Sequence, residues 1–204
     1  MSLFGREFPR LSQKDVIMKA VIQKSYGSVD ELELLEIDRP EITDDQVLVN
    51  VHAASVHPDV WHVVAGWPLV LRFFGSGITK PKNQVPGTDM AGVVERVGKN
   101  VKDLKAGDEV FGETIDNMQW VNGGAYAEYV AVNRSNLARK PANVSFEQAA
   151  AIPTAGYIVL LNLKSILPLS TQSRVLVNGA GGGTSGPIYS RGCRAPFGSQ
   201  SLVI

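Results

Sequence analysis

The chain has 204 residues, of which 44% are hydrophobic, and its 20 basic and 20 acidic side chains give a formal net charge of zero. Nothing in this balance favours binding to nucleic acid or to an anionic membrane surface. The single cysteine, Cys193, excludes an internal disulfide and a multi-cysteine metal site. No apolar run approaches the length of a membrane span.

The first 17 residues mix acidic and basic side chains and lack the apolar centre of a secretory signal. We interpret them as a flexible tail, and we expect the folded part to begin near Met18. An organellar transit peptide is the alternative, although acidic residues disfavour it. The default expectation is a soluble cytoplasmic protein.

Residues 18–141 show the pattern of an all-β unit, with short apolar or alternating runs separated by glycine-rich turns. Pro58 predicts the first turn of a short helix that Gly66 ends. Residues 66–84 predict a long loop, which either lines a pocket or interface or packs on its own aromatic side chains. Strands are predicted at 18–25, 32–37, 47–51, 93–97 and 123–132, and residues 105–112 predict a turn followed by a short strand.

The pattern changes after Pro141. Ser145 predicts a helix N-cap, and Gln148 completes a capping box with it. Pro153 should interrupt that helix, and residues 155–166 are apolar and long enough for a second, buried helix. The next segment, 174–186, is a short apolar strand that breaks into glycines. An all-β unit, then helices, then a strand with a glycine turn predicts a mixed α/β chain of two domains.

The glycine cluster in 174–186 is typical of a turn that holds a dinucleotide pyrophosphate. Glycine permits the tight turn, and its missing side chain lets backbone N–H groups approach phosphate at a helix N-terminus. Gly181, Gly183 and Gly186 have the G-x-G-x-x-G spacing, but the strand ends near Asn178 and the natural register starts at Gly179. Alone, the motif is weak.

Several longer segments together resemble the medium-chain dehydrogenase/reductase superfamily. They read MKAVIQKSYG, VPGTDMAGVVERVGKNVKDLKAGDEVFG, GGAYAEYVAV, KPANVSFEQAAAIPTAGY and RVLVNGAGGG, in that order. The chain is most similar to the zinc-independent quinone oxidoreductase and enone reductase branch. The resemblance implies a GroES-like β-barrel over 18–141, then linker helices and the start of a Rossmann domain over 142–204. It also implies hydride transfer from NADPH, or NADH, to a quinone or an α,β-unsaturated carbonyl.

The resemblance also implies the site residues. Zinc-using relatives have a histidine where this chain has Thr88, and threonine is a poor zinc ligand, so we expect no metal; a zinc site of His57, His62 and Asp89 is the weaker alternative. The candidate catalytic residues are His57, Asp59, Trp61 and His62. The two histidines are expected to donate hydrogen bonds to a developing enolate, and solvent is the other source of the proton. The candidate cofactor-binding residues are Thr154, Gly156, Asn178, Gly179, Gly181, Gly182 and Gly183.

The sequence departs from the family after Gly183. The following residues include Gly192, Pro196 and Gly198, a composition that breaks helices, and no ribose-binding residue follows at the usual distance. We therefore expect a truncated or frame-altered chain that binds NADPH no tighter than about millimolar. Its uncovered apolar faces predict a homodimer. The alternative function is a non-catalytic GroES-like module that acts by interaction or has no function.

Overall fold

The computed structural model describes residues 17–70, 72–116, 121–164 and 201–203 of the chain. These residues form strands connected by short turns, with three α-helices. The strands are β1 Ile17–Gln23, β2 Leu32–Asp38, β3 Gln46–Ser55, β4 Asp89–Val97, β5 Glu109–Glu113, β6 Tyr129–Asn133, β7 Leu137–Arg139 and β8 Ser201–Val203. The helices are α1 Pro58–Ala65, α2 Phe146–Ala150 and α3 Pro153–Lys164; short 3-10 turns lie at Val29–Glu31 and Arg134–Asn136, and a π-helical turn at Arg72–Ser76.

All strand pairs are antiparallel and form two sheets. Strands β1 and β2 pair in one sheet, and the other has the order β6-β3-β4-β5-β7, with β8 added to the end of β3. The ten-residue β3 is central, and its alternating Val47, Val49 and Val51 are buried in the core with Val94 and Val110. This alternation places one face of the sheet inward and accounts for the barrel-like core that the sequence predicts.

Helix α1 begins and ends as its sequence predicts. Pro58 occupies the first turn, where its missing N–H costs no hydrogen bond, and Gly66 ends the helix in the left-handed conformation with φ 61°. Val60, Val63 and Val64 are buried, so this face holds the helix against the barrel.

Of the two helices that follow the barrel, α2 begins at the predicted cap, whereas α3 begins two residues before the predicted residue 155. The prediction of a buried helix was wrong, because Tyr157, Leu160 and Leu161 are about half exposed or more. Ser145 caps α2, and its capping box with Gln148 is present. Pro153 does not lie inside a helix; it begins α3 after α2 has ended. Ala149 and Ala150 of α2 are fully buried in a cluster with Ala53 and Ala91, so α2 is part of the barrel's packing.

Some boundaries differ from the prediction. Strand β4 begins at Asp89, earlier than the predicted residue 93, because its first residues, Asp89 to Val93, already pair with β5. The strand predicted over 123–132 is only Tyr129–Asn133, since the Tyr126 amide instead donates to the carbonyl of Pro86. The glycine segment 174–186 and residues 165–166 of the predicted helix lie outside the described residues.

Candidate active site

The candidate site is built around the carboxylate of Asp89, at the start of β4. Only 1% of this residue is exposed. Its Oδ1 accepts a hydrogen bond from the Thr154 hydroxyl at 2.7 Å and one from the Thr88 hydroxyl at 3.2 Å, and its Oδ2 accepts the Thr154 backbone N–H at 2.8 Å. Burial raises the pKa of Asp89, and the hydrogen bonds from Thr154 are the main opposing cause. Asp89 thereby joins the barrel to the first turn of α3.

His57 lies next to this carboxylate, immediately before α1. Its Nε2 is 2.7 Å from the Thr88 hydroxyl oxygen. Because that hydroxyl donates its one hydrogen to Asp89, it accepts a hydrogen bond from Nε2–H of the imidazole. The ring's Nδ1 is buried without a hydrogen-bond partner among the described residues, and Asp59 Oδ2 is 3.8 Å away. Neither nitrogen of His57 is therefore available to a substrate in this conformation.

The other candidate catalytic residues lie on α1. Asp59 is close enough to His57 for an ion pair but beyond hydrogen-bond distance. Trp61 is 55% exposed, and its ring stands edge-on to that of His62, with centroids 4.9 Å apart. His62 Nδ1 is 2.9 Å from the carbonyl oxygen of Trp67 and donates to it, since a carbonyl only accepts. The two histidines thus bind different groups, and the structure does not join them in one hydrogen-bonded pair.

Glu113, at the end of β5, is the residue of this site that sequence reasoning did not single out. Its Oε1 is 3.5 Å from the hydroxyl oxygen of Thr154, and it lines a cleft of about 650 Å³ together with Phe111, Asn136 and Tyr157. Burial, and then the negative charges of Asp89 and Asp59, raise the pKa of Glu113 to about 7. No local motif marks it, because its environment arises only when β4, β5 and α3 meet.

Two of the candidate cofactor-binding residues are described, Thr154 and Gly156, and both lie in the first turn of α3. The amide and hydroxyl of Thr154 bind Asp89, so the barrel determines where this turn lies. A Cβ added at Gly156 would be 3.2 Å from Ile152 Cγ2, which is close packing between neighbouring turns. The remaining candidates, Asn178, Gly179, Gly181, Gly182 and Gly183, lie outside the described residues.

Comparison with known proteins identifies the barrel. Residues 43–142 match the alcohol dehydrogenase GroES-like domain. These residues belong to that domain family. The surrounding GroES-like fold agrees with the solved quinone oxidoreductase from Coxiella burnetii, which is 30% identical with a TM-score of 0.64 over 73% of this chain and 45% of that one. The quinone oxidoreductase of Escherichia coli, solved in complex with NADPH, is 25% identical with a TM-score of 0.64, covering 82% of this chain and 47% of that one.

The chain is also similar to longer proteins that are named as oxidoreductases. The chain is 39% identical to 2-methylene-furan-3-one reductase of Solanum lycopersicum and 40% identical to the chloroplastic NADPH-dependent alkenal/one oxidoreductase of Arabidopsis thaliana. Each match covers 81% of this chain and 42% of the relative. The quinone oxidoreductase of Homo sapiens is 33% identical, over 82% of this chain and 47% of the relative. The chain thus spans less than half the length of these relatives, and its resemblance to the quinone oxidoreductase and enone reductase branch is confirmed.

The described part of the GroES-like chain offers no cluster of three His, Cys, Asp or Glu side chains that could hold a metal ion. Thr88 uses its hydroxyl to connect His57 with Asp89. None of the helices that the structure describes is long and apolar enough to cross a membrane.

Proposed function

We propose that this chain supplies the substrate side of an NADPH-dependent reductase of α,β-unsaturated carbonyl compounds, with quinones as the second substrate class. The relatives named for alkenal, enone or furanone reduction are 39% and 40% identical to the chain, whereas the human quinone oxidoreductase is 33% identical. This difference favours the unsaturated carbonyl. The relatives are longer than this chain, and so the activity of the whole protein is part of the proposal.

The observation that carries the proposal is the hydrogen bonding of Thr88. Its hydroxyl accepts from His57 at 2.7 Å and donates to Asp89 at 3.2 Å. The family resemblance implies that zinc-using relatives have a histidine ligand at this position. A neutral hydroxyl that already has both partners is a poor zinc ligand. A substrate reduced without a metal must be activated by its own conjugation, and quinones and enones satisfy this condition.

The cofactor, when bound, supplies a hydride to the conjugated carbon of the substrate. Thr154 and Gly156 are the described residues proposed to hold it, in the first turn of α3. Their proposed role is to position the turn that faces the cofactor, because the amide and hydroxyl of Thr154 both donate to Asp89 and fix this turn relative to the barrel. A site that is held in place before the reaction loses less free energy to reorganisation.

The proton that completes the reduction comes, we infer, from solvent. The Nε2–H of His57 is committed to Thr88 and its Nδ1 is buried. His57 therefore acts as a positioning residue that holds Thr88 and Asp89. A His57→Gln variant keeps a side-chain N–H that can reach Thr88, and we expect kcat to fall less than about tenfold. Removing a general acid costs roughly 10²- to 10⁴-fold, and a loss of that size would identify His57 as the proton donor instead.

The proposal is tested by NADPH consumption with an alkenal, a cyclic enone and a quinone as substrates. Because NADPH is expected to bind no tighter than about millimolar, the assay uses NADPH above that concentration. We then expect turnover that is fastest with the unsaturated carbonyls, and no stoichiometric zinc by elemental analysis after dialysis. About one tightly held zinc per chain would contradict the metal-free reaction. Absence of both NADPH binding and turnover in the purified chain would favour the non-catalytic GroES-like module.

A further inference from the structure

We propose that Glu113 is a positioning residue for Thr154, and that one proton shared by the carboxyl groups of Glu113 and Asp89, which the Thr154 hydroxyl bridges, holds the start of α3 against the barrel. The three residues are called the carboxylate clamp below. The inference rests on the proposed function where it concerns the cofactor, because Thr154 is a candidate cofactor-binding residue. Its structural part stands on the clamp's own geometry.

The clamp places one hydroxyl between two carboxyl groups. The Thr154 hydroxyl oxygen is 2.7 Å from Asp89 Oδ1 and 3.5 Å from Glu113 Oε1. A hydroxyl has one hydrogen to donate and can accept others, and here the short contact shows that it donates to Asp89. Glu113 therefore completes the chain of hydrogen bonds only when it carries a proton and donates it to Thr154. When Glu113 is ionised, its oxygen faces an acceptor.

The surroundings determine which of the two carboxyl groups carries the proton. Asp89 accepts hydrogen bonds from the Thr154 amide, the Thr154 hydroxyl and the Thr88 hydroxyl, and these stabilise its ionised form. Glu113 has only the long contact with Thr154 and lies beside an open cleft. The shared proton consequently resides on Glu113, where cleft water can exchange it.

The charged groups around Glu113 strengthen this assignment. Asp89 on β4 and Asp59 on α1 both act on it with negative charge, and Asp116, beyond β5, lines the same cleft. The carboxylate of Asp116 is bound by the amide groups of Asn133 and Asn136. No lysine or arginine among the described residues forms an ion pair with Glu113. The pKa of Glu113, raised to about 7 by burial and then by the charges of Asp89 and Asp59, places the loss of the proton near neutral pH.

Loss of the proton has a direct structural consequence. A second negative charge then lies against Asp89 at the point where Asp89 binds the first turn of α3. Like charges that share a site repel, and the hydrogen bond from the Thr154 amide to Asp89 Oδ2 weakens with them. The start of α3, and Thr154 with it, is thus held more firmly below about pH 7 than above it.

Amide hydrogen exchange of Thr154 measures the clamp directly, because its N–H donates to Asp89. After correction for intrinsic exchange rates, we expect protection in the 204-residue wild-type chain to fall about fivefold or more between roughly pH 6 and pH 8.5. The Glu113→Gln variant should show no such fall, since its amide donates to Thr154 at every pH. Glu109→Gln is the matched control: it removes the same charge from the same strand, but Glu109 pairs with Lys140.

Two variants of Thr154 separate hydrogen bonding from simple charge repulsion. Thr154→Ser keeps the hydroxyl and should keep the full pH response. Thr154→Val keeps the amide and both carboxyl groups but removes the bridging hydroxyl, so only the part caused by charge repulsion should remain. A Thr154→Val response as large as that of wild type would contradict the role of the hydroxyl in the clamp. An equal fall in wild type and Glu113→Gln, or none in wild type, overturns the clamp.

NADPH titration at the same two pH values tests the cofactor part separately. We expect the affinity of the wild-type chain to weaken at the higher pH and that of Glu113→Gln to stay constant. If the exchange results are as expected but no NADPH binds, the cofactor role is wrong and the clamp itself stands.

Discussion

At the scale of single residues, the site depends on a few buried hydrogen bonds, and the loss of any one of them is expected to destabilise the folded chain. Thr88 is the clearest case, because its hydroxyl serves both His57 and Asp89. We expect Thr88→Val to lower the free energy of unfolding by about 2 kcal/mol, since it leaves a partly buried N–H and a buried carboxylate each short of one partner. Urea denaturation measures this loss. Thr88→Ser keeps the hydroxyl and should cost much less; equal losses would show that packing, not hydrogen bonding, matters here.

Also at the scale of single residues, Glu113 makes the free energy of unfolding depend on pH. Its pKa is raised to about 7 in the folded chain from an ordinary 4.5, so the folded state binds the proton more tightly than the unfolded state. The resulting stability is fully present below the unfolded pKa and is lost as the pH rises through the folded pKa. Because Glu113 is only half-buried, solvent screening reduces the effect, and we expect Glu113→Gln to be more stable than wild type by about 1 kcal/mol near pH 8.5 and equal to it near pH 4. Urea denaturation at both pH values checks this, and a variant that is no more stable than wild type at the higher pH would contradict it.

At the scale of elements, helix α2 connects the barrel to α3. It is stabilised both by its N-terminal cap and by its packing against the barrel. Its capping box satisfies the first amides, and Ala149 and Ala150 pack without exposed surface against Ala53 and Ala91. We expect Ser145→Ala to lower the free energy of unfolding by about 1 kcal/mol, because the Gln148 amide loses its acceptor. Ser145→Thr retains an oxygen at this position and serves as the control in thermal denaturation. A Ser145→Ala variant as stable as the control would mean that packing alone holds α2.

At the scale of the whole molecule, the structure raises the question of whether the folding unit ends near Pro141 or includes α2. The sequence places the end of the barrel near Pro141, but α2 covers a face of β3 and β4 that would otherwise meet water. We expect a fragment of residues 17–151 to be more stable than one of residues 17–141 by about 2 kcal/mol, from the apolar area that α2 buries. Denaturation of the two fragments, with NMR amide dispersion to confirm folding, decides this. Equal stability of the two fragments would support the predicted end of the barrel at Pro141.

The oligomeric state also belongs to this scale. Tyr157, Leu160 and Leu161 of α3 are about half exposed or more, as are Trp61 and Trp67 near α1. Exposed apolar side chains of this kind are typical of an interaction surface, and a homodimer is therefore still predicted. The cytoplasmic location is a prediction as well, since relatives at 40% and 28% identity are named as chloroplastic and mitochondrial proteins.

The sequence by itself determined the features that depend on neighbouring residues. Pro58 and Gly66 mark the ends of α1, Ser145 begins α2, and α2 ends before Pro153, because caps and proline act through the local backbone. The alternating valines of β3 gave its buried face in the same way. The family could be inferred because its motifs are contiguous segments.

Only the tertiary structure decided the chemistry of the site. Strand pairing and the docking of α3 bring together His57, Asp89, Glu113 and Thr154, which are far apart in the sequence. The raised pKa of Glu113 and the burial of Asp89 come from this encounter, and neither residue type predicts them. The sequence could not predict the hydrogen bonding of His57 for the same reason. Which ring nitrogen carries the proton depends on the partner that the fold places beside each nitrogen.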